Sequence, residues 1–369
     1  MKKDLRKILI IGASGFLGHA LVQTLEKEFH IEGTHYSNPV KIGNIYSKKL
    51  DVMDEDSTNS LLNAINPDVV INCAVAGVDL CRQNPAKATG INAMFPEKLA
   101  EWCSISNAQM IHFSTDLVFD GINAPYDELS EAHPLSEYGK TKLIGEKSVL
   151  YRYPSALIFR LALLYGSEKG FISWLHKTLN SGKHASLFID QFRTPLYVGD
   201  VCSIVCKALK PPFASGLYNL AGPDRINRMD IGKIFAKTYG FSLDMLKAEE
   251  MSKRKHYEPR PLDASMRSEK SQKRFSIQFH NIRNGIKAMA KADPLFKENR
   301  CIRSLQIQVK LALQMIAGGK LSQNEAYRQI DLVKKNALNM FPKKGTTFDL
   351  IYRPRFIRLI EEVYGKHNE

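Results

Sequence analysis

No apolar run among the 369 residues approaches the roughly 18 needed to cross a bilayer, which excludes an integral helical membrane protein. Cysteine is scarce, with six residues: Cys73, Cys81, Cys103, Cys202, Cys206 and Cys301. None forms a CxxC pair, and no clustered histidine accompanies Cys202 and Cys206, four apart in an apolar stretch. Such spacing does not suit zinc, so no metal is expected. Buried, reduced thiols in a cytoplasmic protein are the expectation. Internal repeats and low-complexity segments are also missing. Hydrophobic residues at 44% and charged residues at 24% exclude a disordered or fibrous chain. The start, Met1 to Lys7, is basic, but the apolar stretch behind it runs into glycines without a small-residue cleavage site. It reads as a first strand and not as a signal peptide.

Acidic residues are the other shortfall, 38 Asp and Glu against 52 Lys and Arg, a net charge of +14. The excess is uneven. Residues 271–369 carry +11, and residues 1–270 carry only +3. Basic character therefore belongs to the C-terminal quarter.

The first 120 residues alternate strand and helix signals. Lys7–Ile11 is a short apolar run, as in a strand buried on both faces of a parallel sheet. Helical spacing follows, with Leu17, Leu21 and Leu25 on one face. Further strands are expected over 31–35, 68–74, 109–114 and 156–161. Ser57 is placed to cap a helix over Leu61, Leu62 and Ile65, and further helices are expected over 96–104, after Ser136 and over 171–180. Repeated βα units imply a doubly wound parallel sheet with helices on both faces, an α/β fold. From about Cys301 the texture is all-helical. Ser322-Gln323-Asn324-Glu325 has the capping-box pattern, and Pro354 suits the first turn of a last helix ending before Gly365.

Three motifs carry chemistry. Gly12-x-x-Gly15-x-x-Gly18 follows a buried strand and opens a helix, the context in which a glycine turn lets backbone approach a pyrophosphate. Tyr138 and Lys142 stand four apart on a helix and share a face. A phenol is a weak acid–base group at neutral pH, and a neighbouring ammonium is expected to lower its pKa. Ser114-Thr115 ends a strand, where ligands of parallel sheets bind, and offers a hydroxyl to a substrate carbonyl.

Together these segments resemble the extended short-chain dehydrogenase/reductase superfamily, and within it the dTDP-4-dehydrorhamnose reductase family. The resemblance covers about residues 6–290. Its further carriers are Asn72-Cys73-Ala74 with Val78-Asp79, His112 to Gly121 ("STDYVFDG"), Tyr138 to Glu146 ("YGxTKLxGE") and Arg160 with Leu164-Tyr165-Gly166. Asp190 to Pro195, Gly216 to Gly222 and Arg260-Pro261-Leu262-Asp263 complete the set. Cys81-Arg82, Leu117 and Asn219 depart from the pattern, outside the catalytic positions.

The resemblance implies Thr115, Tyr138 and Lys142 as the catalytic triad. It implies a nicotinamide dinucleotide on Gly12, Ser14, Gly15, Phe16, Leu17, Gly18, His35, Ser37, Asp51, Val52, Cys73, Ala74 and Val75, with Tyr138 and Lys142. Substrate would meet Asp79, Ser114, Thr115, Arg160, Arg193 and Arg260. The second strand ends in Gly33-Thr34-His35-Tyr36-Ser37-Asn38 without an acid to take both ribose hydroxyls, and Lys41 is near, so NADP(H) is favoured over NAD(H). The expected activity is reduction of a nucleotide-activated 4-keto-6-deoxysugar. An epimerase of the same superfamily is one alternative. A non-catalytic NADP-binding subunit, like the regulatory subunit of methionine adenosyltransferase, is the other.

Three parts are expected. Residues 1–165 form the Rossmann domain with the catalytic pair, and 166–294 a smaller α/β substrate-binding part with some strands returning to the main sheet. Residues 295–369 form a basic helical extension. A homodimer and a nucleotide-sugar substrate are the expected partners, and no nucleic acid. The extension is expected as a helical cap with a solvated basic face, the alternatives being docking to an acidic partner or to an anionic membrane surface.

Overall fold

The computed structural model describes residues 6–43, 45–254, 258–292 and 294–365. It divides into two compact units, Met1–Met289 and Ala290–Glu369.

The first unit is built on strands β1 (Lys7–Ile11), β2 (His30–His35), β3 (Lys48–Lys49), β4 (Val69–Asn72), β5 (Gln109–Thr115), β6 (Leu157–Leu161) and β7 (Gly216–Leu220). The basic residues Lys2 and Lys3 ahead of β1 lie outside the described residues. The order across the sheet is β7-β6-β5-β4-β1-β2-β3, and every pairing is parallel. Chain direction along the sheet reverses between β1 and β4. That switch point opens a crevice beyond the carboxyl ends of the strands.

Alternation along β1 assigns its residues to two cores. Ile8 and Ile10 pack with Leu21, Val22 and Leu25 of helix α1 (Phe16–Leu25). Leu9 and Ile11 face the other layer, helices α2 (Glu55–Ile65), α3 (Val78–Gln83), α4 (Pro85–Thr89), α5 (Phe95–Ile105) and α6 (Glu137–Arg152). Leu62 of α2, Leu99 of α5 and Val149 of α6 share their core. Both faces of the sheet are thus covered, which buries the central strands β4 and β5 along their whole length. One local expectation changes. Asp54, not Ser57, caps α2, and its carboxylate accepts from the Ser57 N–H at 3.0 Å. The helix thus starts three residues earlier, at Glu55.

The later part of this unit has its own small core. Helices α7 (Gly170–Asn180), α9 (Arg228–Tyr239) and α11 (Ile282–Ala292) supply it, while α8 (Val198–Ala208) and α10 (Glu269–Phe275) pack into the core of the main sheet. Leu175 and Leu179 of α7, Phe235 of α9 and Ile286 of α11 pack with the two-stranded parallel pair Ala185–Phe188 and Leu246–Glu249. β7, from the same stretch, extends the main sheet through β6.

The second unit is helical: α12 (Pro294–Ala317), α13 (Gln323–Met340), α14 (Gly345–Ile351) and α15 (Arg353–Tyr364). The capping box at Ser322 closes in both directions. The Ser322 N–H donates to Glu325 at 2.7 Å, and the Glu325 N–H donates to the Ser322 hydroxyl. Ile316, Ile330, Phe348, Phe356 and Ile360 form its core. Helix α14 was not anticipated; Phe348 buries into this core, and Lys334 of α13 donates to Asp349 of α14 at 2.6 Å. Among the described residues no helix is long and apolar enough to cross a membrane.

Candidate active site

The glycine loop leaves β1 at Ile11. Gly12 has φ +82°, a left-handed conformation that favours glycine. Its N–H donates to the Thr34 hydroxyl of β2, and the Gly15 N–H donates back to the Gly12 carbonyl at 3.0 Å. A Cβ on Gly18 would collide with the Gly12 carbonyl and lie 2.8 Å from the Ala13 Cα, so this glycine seats α1 against the strand. Gly15 caps α1 without a side-chain bond, leaving the first helical N–H groups facing outward. Lys169 donates to the Ser14 carbonyl at 2.9 Å and brings a cation to the loop's outer edge.

Beyond this loop lies a cavity of about 280 Å³ at the switch point. Gly12, Ser14, Gly15, His35, Asp51, Val52, Cys73, Ala74 and Val75 line it, joined by Thr34, Tyr36, Leu80, Lys87 and Ile91. Phe16, Leu17, Gly18 and Ser37 do not line it. The features suit a dinucleotide: a helix N-terminus for the pyrophosphate, glycines that a Cβ would obstruct, and apolar walls for a base.

A second cavity, of about 340 Å³, adjoins the first, and Val75 lines both. It gathers Ser114, Thr115, Asp116, Tyr138, Arg193, Arg228 and Arg260. Ser114 and Thr115 arrive at the end of β5. The Thr115 hydroxyl donates to Asp116 at 3.2 Å and accepts from the Leu117 N–H. Tyr138 arrives on α6, whose start is capped by Ser136 accepting from the Gly139 N–H; Lys142, one turn further on, is buried and lines neither cavity. The Ser114 hydroxyl and Arg193 Nη1 are buried without a protein partner. Arg193 Nε lies 3.5 Å from Asp116 Oδ2, whose pKa burial raises against that attraction.

The expected electrostatics of the catalytic pair differ in the structure. The Tyr138 phenol is pushed up, first by burial and then by Asp116 and Cys81; a hydrogen bond with Thr115 pulls the other way. Lys142 does not lower it. Its Nζ instead lies 3.3 Å from His112 Nε2, and His112 Nδ1 lies 3.2 Å from the Asn72 amide. Burial depresses Lys142 to about 8, opposed by Glu146 one turn on. The two side chains therefore hold separate partners on the shared helix face.

Two expected substrate residues lie elsewhere. Arg160 forms a buried, bidentate pair with Glu146, through Nε at 3.0 Å and Nη2 at 2.7 Å, and stacks 5.1 Å over the Phe119 ring. Strand alternation points it at α6, away from the cavity. Asp79 is exposed on α3, 3.9 Å from Arg82. Arg228 was missed. It starts α9, donates to Gln191 at 3.3 Å and reaches the cavity only through the tertiary fold.

A switch-point glycine loop beside a Thr–Tyr–Lys constellation defines the class, a nicotinamide-dependent Rossmann oxidoreductase of the extended short-chain dehydrogenase/reductase type. Within it, the chain belongs to the RmlD substrate binding domain family, which it matches over residues 6–294. It is 33% identical to the probable low-salt glycan biosynthesis reductase Agl14 of Haloferax volcanii over 251 residues, 66% of this chain and 83% of that protein. It is 32% identical to methionine adenosyltransferase 2 subunit beta of Xenopus laevis over 245 residues, 63% of this chain and 72% of the other. The fold is that of dTDP-4-dehydrorhamnose reductase from Bacillus anthracis, solved in complex with NADP, with a TM-score of 0.71 at 22% identity. That match covers 78% of this chain and 100% of the other.

Proposed function

We propose that this protein is an NADP(H)-dependent reductase of a nucleotide-activated 4-keto-6-deoxysugar. The observation that carries the reading is the second cavity. It places the Thr115 hydroxyl and the Tyr138 phenol among three arginines, next to the glycine-loop cavity. A bound nicotinamide would supply the hydride.

The chain's own residues supply the rest. Tyr138, protonated at neutral pH, would donate its proton to the developing alkoxide, although burial and Asp116 make it a weaker acid than a free phenol. Thr115 and Ser114 offer hydroxyls to the carbonyl oxygen as charge develops on it. Lys142, near 8, is mostly protonated at pH 7 and can donate to ribose hydroxyls. Arg193, Arg228 and Arg260 face one carboxylate, Asp116, so the cavity has cationic capacity for a substrate diphosphate. Gly12, Ser14 and Gly15 would hold the cofactor pyrophosphate.

The test is a panel of nucleotide 4-ketosugars incubated with NADPH, with products identified by mass spectrometry. Reduced sugar and stoichiometric NADPH loss support the reading. Tyr138→Phe should abolish turnover and keep NADPH binding; full activity in that variant refutes the role of Tyr138. Interconversion of sugars without net NADPH loss would mean an epimerase. The similarity to methionine adenosyltransferase 2 subunit beta favours a second reading, a cofactor-bound regulatory subunit. That reading predicts a stable protein partner and no turnover across the panel.

A further inference from the structure

The wall of the dinucleotide cavity carries a cation that the motifs do not account for. Lys87 lies on α4, a short helix whose cap, Asn84, accepts from the Lys87 N–H at 3.0 Å. Its ammonium lies 5.7 Å over the ring of Tyr36, at the end of β2. Both side chains line the cavity, from opposite sides of the sheet's switch point. Among the described residues lining it, Lys87 is the only Lys or Arg, and Asp51 is the only carboxylate. Asp51 is already engaged, accepting from the Met53 N–H at 3.0 Å.

The two groups nearest in sequence to the ribose position are otherwise committed. His35 is buried, with Nδ1 2.8 Å from the Ser47 hydroxyl, which in turn contacts the Val40 backbone. Lys41 does not line the cavity. The acid that would bind two free ribose hydroxyls is absent from the end of β2, the His35 ring is turned onto Ser47, and Lys41 stays outside the cavity.

We propose that Lys87, held across the cavity mouth by Tyr36, is the specificity-determining residue for the 2′-phosphate of the dinucleotide, so that the NADP(H) preference is set from α4 and not from the end of β2. The inference rests on the reductase reading only in needing a nicotinamide nucleotide in this cavity. A flexible ammonium over an aromatic face is free to swing onto a phosphate dianion while the ring retains the adenosine edge.

Calorimetric titration of the full chain with NADPH and NADH tests this without turnover. Lys87→Met should weaken NADPH about tenfold, the scale of one charge-assisted contact, and leave NADH within about twofold. Lys87→Arg should keep the preference. Wild-type preference should shrink at raised ionic strength, because the ammonium is only half-buried, and 2′,5′-ADP should outcompete 5′-AMP on wild type but not on Lys87→Met. Equal weakening of both dinucleotides, or no change in either, overturns the proposal and leaves the reductase reading standing. A wild-type chain that binds neither overturns both.

Discussion

Lys142 is an ammonium buried at 2% exposure, and its burial is costly before any cofactor arrives. Its pKa falls from 10.5 to about 8. That fall corresponds to roughly 3 kcal/mol of folding free energy lost at pH 7. Lys142→Met keeps the straight chain and removes the charge. It also leaves His112 Nε2 without its neighbour, which costs about 1 kcal/mol. The cofactor-free variant should therefore be more stable than wild type at pH 7, by about 2 kcal/mol, while losing activity. The pH dependence has a definite sign. Between pH 8 and 10.5 the unfolded chain binds the Lys142 proton and the folded chain does not, so wild-type stability rises with pH in that window. By pH 9.5 about 2 kcal/mol should be recovered, and the variant's advantage should nearly vanish. Urea unfolding at the two pH values, followed by tryptophan fluorescence, measures it. Trp102 and Trp174 both lie in the first unit, so the signal reports the unit that holds the site. A variant less stable than wild type at pH 7, by a margin that does not change with pH, would refute the reasoning.

Two further outcomes follow from the same framework. Arg160→Met strands the Glu146 carboxylate in the core and should cost about 3–5 kcal/mol in urea unfolding; Arg160→Met/Glu146→Leu should recover much of it. Gly18→Ala places a methyl against the Gly12 carbonyl and the Ala13 backbone, which cannot move without opening the loop. It should cost about 1–3 kcal/mol and abolish measurable dinucleotide binding by calorimetry; normal affinity would show that the loop does not need its close seat on α1.

Much of the fold was legible because its signals are local. A four-residue apolar run, a glycine loop and a helical i, i+4 pair are each read within one element, and they proved to be β1, the α1 entry and α6. The capping box at Ser322 and Pro354 at the start of α15 are local in the same sense. The arginines were not legible in this way. Arg160 and Arg228 carry the same head group, and nothing near them in sequence separates them. Arg160 sits on the face of β6 that α6 covers, where Glu146 meets it; Arg228 opens a helix that the later core swings toward Thr115. The charge balance behaves similarly. The C-terminal excess of positive charge was visible as a count, but the count does not say which cations line a cavity.

The sequence by itself determined the sheet's class, the glycine loop, and the identity and helical spacing of Tyr138 and Lys142, because periodicity and steric demand act over a few residues. Tertiary structure alone decided which partners those groups meet. Burial raises the Tyr138 phenol, which the neighbouring ammonium was expected to lower; His112 meets Lys142; and Lys87 lies over Tyr36. Desolvation and charge pairing depend on what lies within a few ångströms in space, and residues 30 to 50 positions apart become such neighbours only when the sheet closes around its switch point.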